Sequence, residues 1–149
     1  MPTEQKVEQV RRLAEADHGL AMIVTLRSDG SPLCSVVNAG VMVHPATDEP
    51  VVAFVSRGDA VRLRHLRKRP QATAVFRWGW QWVAIEGRTT LAGQHDLLPG
   101  LTLPLPQLLR DIFVAAGGKH ENWDEYDRVM AAETRTAVFI QMDRVYSNR

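Results

Sequence analysis

The chain has 149 residues, 45% hydrophobic and 23% charged, which is the range of one globular domain, read here as residues 1–149, and not of a disordered chain. Its apolar runs are broken by charge or proline well before the ~20 residues a membrane-spanning helix needs, and MPTEQKVEQVRR lacks a signal-type apolar core, so a cytoplasmic protein without a membrane anchor is expected. The single cysteine, Cys34, excludes an internal disulfide and reads as a small buried apolar residue on a strand.

From the N-terminus, Val7, Val10, Leu13 and Ala14 recur at steps of three and four between charges, which predicts a short amphipathic helix over Thr3 to Ala16. Leu20 to Arg27 reads as a strand, Ser28-Asp29-Gly30-Ser31-Pro32 as a turn, and LCSVVNAGVMV as the returning strand of a hairpin. Pro45 to Pro50 is a second turn and Val51 to Val55 a third strand. The period then changes. Ala60, Leu63 and Leu66 make an apolar stripe behind Asp59, a good N-cap type, and Pro70 ends a helix of two to three turns.

Strands are expected over Gln71 to Phe76 and Trp80 to Leu91. Gly93 to Pro106, rich in Pro and Gly, reads as a surface connection. Helices over Gln107 to Ala116 and Trp123 to Ala132 precede a final strand, Ala137 to Tyr146. Six antiparallel strands with turn-like connections and few crossover helices indicate a mostly β (α+β) fold, a closed or nearly closed barrel with short flanking helices.

The net charge of +1 conceals an asymmetry. Between Arg57 and Arg69 stand six Lys or Arg and one acid, a local charge of +5, and the rest of the chain sums to −4. On a helix, Arg62, His65 and Arg69 share a face, with Arg64 and Lys68 in an adjoining row. Guanidinium forks near helix N–H groups suit a compact anion, phosphate above all. The confined patch and near-neutral total argue against nucleic acid as a partner.

Two further stretches could carry chemistry. Alternation in Trp78-Gly79-Trp80-Gln81-Trp82 would put three indoles on one face, for core packing, a dimer contact or stacking on a flat ring. In His120 to Asp127, Asp124 and Glu125 fit a helix start, while His120 and Tyr126 are candidate proton donors or substrate contacts. No dinucleotide, Walker, nucleophile-elbow, C-x-x-C or H-E-x-x-H motif occurs, and the five histidines fall on separate elements, so no metal site is assigned.

The blocks LAMIVTLRSDGSPLCSVV, VAFVSRGDAVRLRHLRKRPQATAVF, WVAIEGRTTL and AVFIQMDRVYSN, in this order, resemble the split β-barrel proteins related to pyridoxamine 5′-phosphate oxidase, particularly the small members that use the deazaflavin F420. The resemblance implies a six-stranded antiparallel split β-barrel of the FMN-binding type. It also implies a homodimer with the cofactor in a groove lined by both subunits. In relatives a Lys in the basic helix is followed three residues later by Asn; here Arg62 and His65 stand at those positions, which keeps the phosphate-binding cation and replaces the amide.

By the same resemblance Ser56 and Arg57 flank the phosphate, Arg64 adds charge, Ser35, Val36, Val37 and Asn38 run along the tricyclic ring, and Trp78 finds a place in the groove. The excess arginine favours F420, whose tail is a phosphodiester bearing glutamates, over the alternative FMN. The implied activity is hydride transfer from reduced F420 to an unsaturated or quinone-like small molecule. An FMN-dependent oxidoreductase and a non-catalytic F420 carrier are the alternatives.

Overall fold

The computed structural model describes residues 2–148. Helix α1 (Glu4–Ala16) is capped by Thr3, whose hydroxyl accepts from the Lys6 amide, and buries Val10, Leu13 and Ala14. Strands β1 (Leu20–Leu26), β2 (Pro32–Val43) and β3 (Pro50–Ser56) follow as an antiparallel meander. Helix α2 (Val61–Lys68) buries Leu63 and Leu66. Strands β4 (Gln71–Trp78) and β5 (Gln81–Ala92), helices α3 (Leu105–Ala115) and α4 (Trp123–Ala132), and strands β6 (Thr136–Gln141) and β7 (Arg144–Ser147) complete the order.

The barrel closes as β1-β2-β3-β6-β5-β4, with β4 returning to β1 and β7 added beside β5. Two twelve-residue strands make this possible. β2 pairs with β1 over its first half and with β3 over its second, and β5 passes likewise from β4 and β7 to β6. Each long strand thus belongs to both sheets, which is the geometry of a split barrel, and the expected six-stranded fold is present with a short seventh strand.

β3 and β6 are buried on both faces, which is why their sequences are continuous apolar runs instead of alternating ones. Val52, Phe54, Val138 and Ile140 point into the barrel core with Ile23, Phe76 and Ile85. Val51, Ala53, Ala137 and Phe139 face a second core beneath α3 and α4, completed by Leu108, Leu109, Ile112 and Tyr126. Each buried Val, Leu, Ile or Phe among them contributes about 1.5–3 kcal/mol by leaving water. The helical excursion is therefore fixed to the outside of β3 and β6.

Several local expectations change. The α2 N-cap is Ala60 with no side-chain cap, because Asp59 turns instead to Arg57 at 3.4 Å. Helix α3 starts at Leu105, two residues early, since Pro106 has no N–H to lose in a first turn. The final strand is two strands. After Met142 the Asp143 carboxylate accepts the Arg88 amide, taking over a ladder bond and letting the chain cross from β6 to β7.

The tryptophan row does not form. Gly79 (φ +59°) and Trp80 make a two-residue hairpin turn, so Trp78 ends β4 opposite Gln81, Trp82 stands opposite Arg77, and strict alternation is lost. Trp78 and Trp80 are exposed, and Trp82 packs edge-on against Tyr146. Cys34 is exposed and not buried. It sits on the outward face of β2, opposite Val24, on a sheet surface that also leaves Leu20, Met22 and Val36 open.

Candidate functional site

A cavity of about 380 Å³ lies between the β2–β3 surface and the α3–α4 excursion. Val36, Val37 and Asn38 from β2 form its floor, and Ile112, Phe113 and Met130 form an apolar roof. Its cationic end collects Arg57 after β3, Arg62 on α2 and Arg135 before β6.

Antiparallel pairing explains that convergence. Ser56 of β3 stands opposite Thr136 of β6, so the residues just outside the pair, Arg57 and Arg135, leave the sheet side by side. The two loops interlock at Gly58, whose amide donates to the Glu133 carbonyl; a Cβ there would lie 1.9 Å from Thr134 Oγ1. Only glycine lets the Arg57 loop approach this closely.

Arg62 is half-buried. Its Nε donates to Ser35 Oγ (3.2 Å) and Nη1 to Ser56 Oγ (3.0 Å), while Ser56 donates onward to the Arg57 carbonyl. Among the described residues no carboxylate pairs with it, although Arg57 has Asp59 and Arg135 has Glu133 at 2.9 Å. Burial, and then repulsion from Arg135, lower its pKa below the usual arginine range. A guanidinium held by two hydroxyls, short of water and of counter-charge, is a standing demand for an anion. This residue passes the test that a phosphate-bearing cofactor sets.

Asn38 has both amide protons committed, to the carbonyls of His18 (2.8 Å) and Ala116 (3.0 Å), which ties β2 to the end of α3 and leaves its Oδ1 for a ligand. Tyr126 contributes its ring to the cavity, but its hydroxyl donates to the Leu109 carbonyl (3.0 Å) and burial pushes its pKa up to about 12. His120 is exposed at the rim, its ring against Phe113, Trp123 and Tyr126. Its Nδ1 accepts the Asn122 amide, which places the proton of the neutral ring on Nε2.

Of the residues chosen from sequence, Val36, Val37, Asn38, Arg57, Arg62 and Tyr126 line this cavity, and Ser35 and Ser56 orient Arg62. Arg64, His65 and Trp78 are outside it, and His120 does not line it but packs against two residues that do, Phe113 and Tyr126. His65 Nδ1 lies 2.9 Å from Thr25 Oγ1, and its pKa is lowered by desolvation and by Arg69, Arg27 and Arg64. Arg69 donates to the Leu26 carbonyl and Arg27 to the Pro32 carbonyl. The basic helix therefore continues from the cavity into a second cationic surface over the end of β1. Arg135 and the roof residues were missed, though the pairing of the final strand with the third would have placed Arg135 beside Arg57.

A family model described as pyridoxamine 5′-phosphate oxidase matches residues 6–141. Among curated proteins none matches. Solved structures share the fold at low identity. An Agrobacterium tumefaciens protein of unknown function aligns at TM-score 0.66 and 12% identity, over 99% of this chain, which spans 59% of that protein's length. A protein of Nostoc punctiforme described as pyridoxamine 5′-phosphate oxidase-related and FMN-binding aligns at 0.66 and 12%, over 99% and 83%. The haem storage protein HutZ of Vibrio cholerae aligns at 0.56 and 10%, over 98% and 94%.

Proposed function

As the chain belongs to the pyridoxamine 5′-phosphate oxidase family, we propose that it is an oxidoreductase that holds a phosphorylated tricyclic coenzyme in this cavity, F420 in preference to FMN, and reduces an unsaturated or quinone-like small molecule. The observation that carries the reading is Arg62, half-buried and, among the described residues, without a carboxylate, at the cationic end of a cavity whose opposite side is largely apolar.

When bound, the reduced coenzyme supplies the hydride. Arg62 and Arg57 hold the phosphate, with Ser35 and Ser56 fixing the Arg62 fork. Val36 and Val37 would lie along the coenzyme, and Asn38 Oδ1 is left to accept a hydrogen bond from it. Ile112, Phe113 and Met130 exclude water from the reacting face. The Tyr126 proton is directed away into a carbonyl, so His120, with a proton on Nε2 at the rim, is the better candidate to deliver one to substrate.

The cationic surface of Arg64, Arg69 and Arg27 around His65, beyond Arg62, supports F420, whose anionic tail would run along it. The FMN-binding relative from Nostoc supports FMN as the second reading. The committed Tyr126 hydroxyl favours a third, a carrier that binds F420 without a dedicated substrate. The open sheet face bearing Leu20, Met22 and Val36 fits the homodimer expected of the chain.

Fluorescence titration of the purified protein with F420 and FMN, at low and high salt, tests the assignment. Saturable, salt-sensitive binding of F420 tighter than FMN is expected; the reverse order moves the protein to FMN, and no binding of either removes the reading. Stopped-flow oxidation of bound reduced F420 by quinones and enoates then separates reductase from carrier, uniformly slow reaction marking the carrier.

A further inference from the structure

We propose that Glu133, acting through Arg135, sets the charge this cavity accepts, so that it takes a singly charged anion, a phosphodiester or carboxylate, ahead of a doubly charged phosphomonoester. The inference rests on the reading above only in placing a ligand's anion at the cationic end.

Arg135 reaches the cavity from the loop before β6, with a side chain only 25% exposed, and Glu133 behind it is 34% exposed. Among the described residues the Arg135 side chain makes one hydrogen bond, from Nε to Glu133, while its amide donates to the Met130 carbonyl. Both its terminal nitrogens are thus left for a ligand, whereas Arg62, gripped through Nε and Nη1 by serines, keeps Nη2. Glu133 therefore does two things: it aims the guanidinium and cancels its charge.

The charges at this end can be counted. Arg57 and Asp59 pair at the surface, and Arg110 with Asp127 forms a second neutral pair in the neighbouring groove that Met130 and Arg135 also border. That leaves Arg62 and Arg135 against Glu133, one excess positive charge in a half-shielded site. The attraction of a ligand to that excess grows in proportion to its charge, whereas the cost of stripping its water grows as the square. With one excess charge and an apolar roof, the second charge of a monoester costs more hydration than it recovers. Removing Glu133 raises the excess to two and shifts the balance toward the dianion.

The test uses the full chain, with methyl phosphate as the dianion and dimethyl phosphate as the monoanion, titrated by NMR near about pH 7.5, where the monoester is largely doubly charged. Wild type should bind dimethyl phosphate at least as tightly. Glu133→Gln should tighten methyl phosphate by about fivefold or more relative to dimethyl phosphate, from the added unit of field. Glu133→Asp, which keeps the charge, should leave the ratio within about twofold of wild type.

A tenfold wild-type preference for methyl phosphate, equal shifts for both probes in Glu133→Gln, or no anion binding at all would overturn the proposal. Failure of F420 and FMN to bind while the probe ratios behave as stated would instead sink the coenzyme reading and leave this one standing.

Discussion

Replacing Arg62 by Met separates a ligand-binding arginine from a structural one, because the first role predicts a loss of affinity at nearly constant stability and the second a loss of stability. The guanidinium makes two neutral-acceptor hydrogen bonds, each worth about 0.5–1.5 kcal/mol net, and against these stand its desolvation and the repulsion of Arg135. Methionine fills similar volume and relieves both costs. Ser56 still donates to the Arg57 carbonyl, so no buried donor is orphaned. The empty protein should therefore change by no more than about 1 kcal/mol in urea unfolding, in either direction. A charged hydrogen bond to phosphate contributes about 1.5–3 kcal/mol, so coenzyme affinity should fall roughly 10- to 150-fold in fluorescence titration. An unchanged affinity, or a stability loss above about 2 kcal/mol with affinity falling only in proportion, would refute the reasoning.

Gly58→Ala should destabilise by about 1–3 kcal/mol and weaken coenzyme binding, because the new Cβ strikes Thr134 and parts the Arg57 and Arg135 loops. Adding Thr134→Ala should restore only part of both in unfolding and titration, since the Thr134 carbonyl would still lie 2.5 Å from that Cβ. Tyr126→Phe should cost about 1 kcal/mol for the lost bond to Leu109 yet leave hydride transfer within a few-fold of wild type; a hundredfold loss in stopped flow would make Tyr126 the proton donor after all. His44 accepts the Ala46 and Thr47 amides at Nδ1 while buried against Phe139, and burial lowers its pKa below 6.5. Its stabilising contribution is thus complete above that value and is lost as pH falls through the lowered folded value. Unfolding free energy should fall more steeply between about pH 7 and 5 for wild type than for His44→Asn.

The barrel was legible because its signals are local: two hairpin turns, apolar runs of strand length and one change of period at Ala60. The site was half legible for the same reason. Arg62 announces itself by standing in a basic segment with a single acid, and Ser56 and Arg57 by ending a buried strand. What escaped depends on contacts distant in sequence. Arg64 and Arg62 share one helix and look equivalent in sequence, yet α2 lies across β1 and β2, so Arg62 meets Ser35 while His65 meets Thr25. The tryptophan row failed because one glycine can be a strand residue or a turn, and only the β4–β5 register decides.

Arg135 shows how the remainder could be recovered without structure. Once the third and last strands are paired antiparallel, as two doubly buried apolar runs in a small barrel demand, the end of one lies at the start of the other. Arg57 and Arg135 are then neighbours by construction, and the acid two residues before Arg135 becomes a candidate to tune it. A positive patch read along the chain counts charges on one segment only. The field a ligand meets is set by the partner loop as well, so in a closed barrel charge has to be summed around the ring of strands before a ligand is assigned to it.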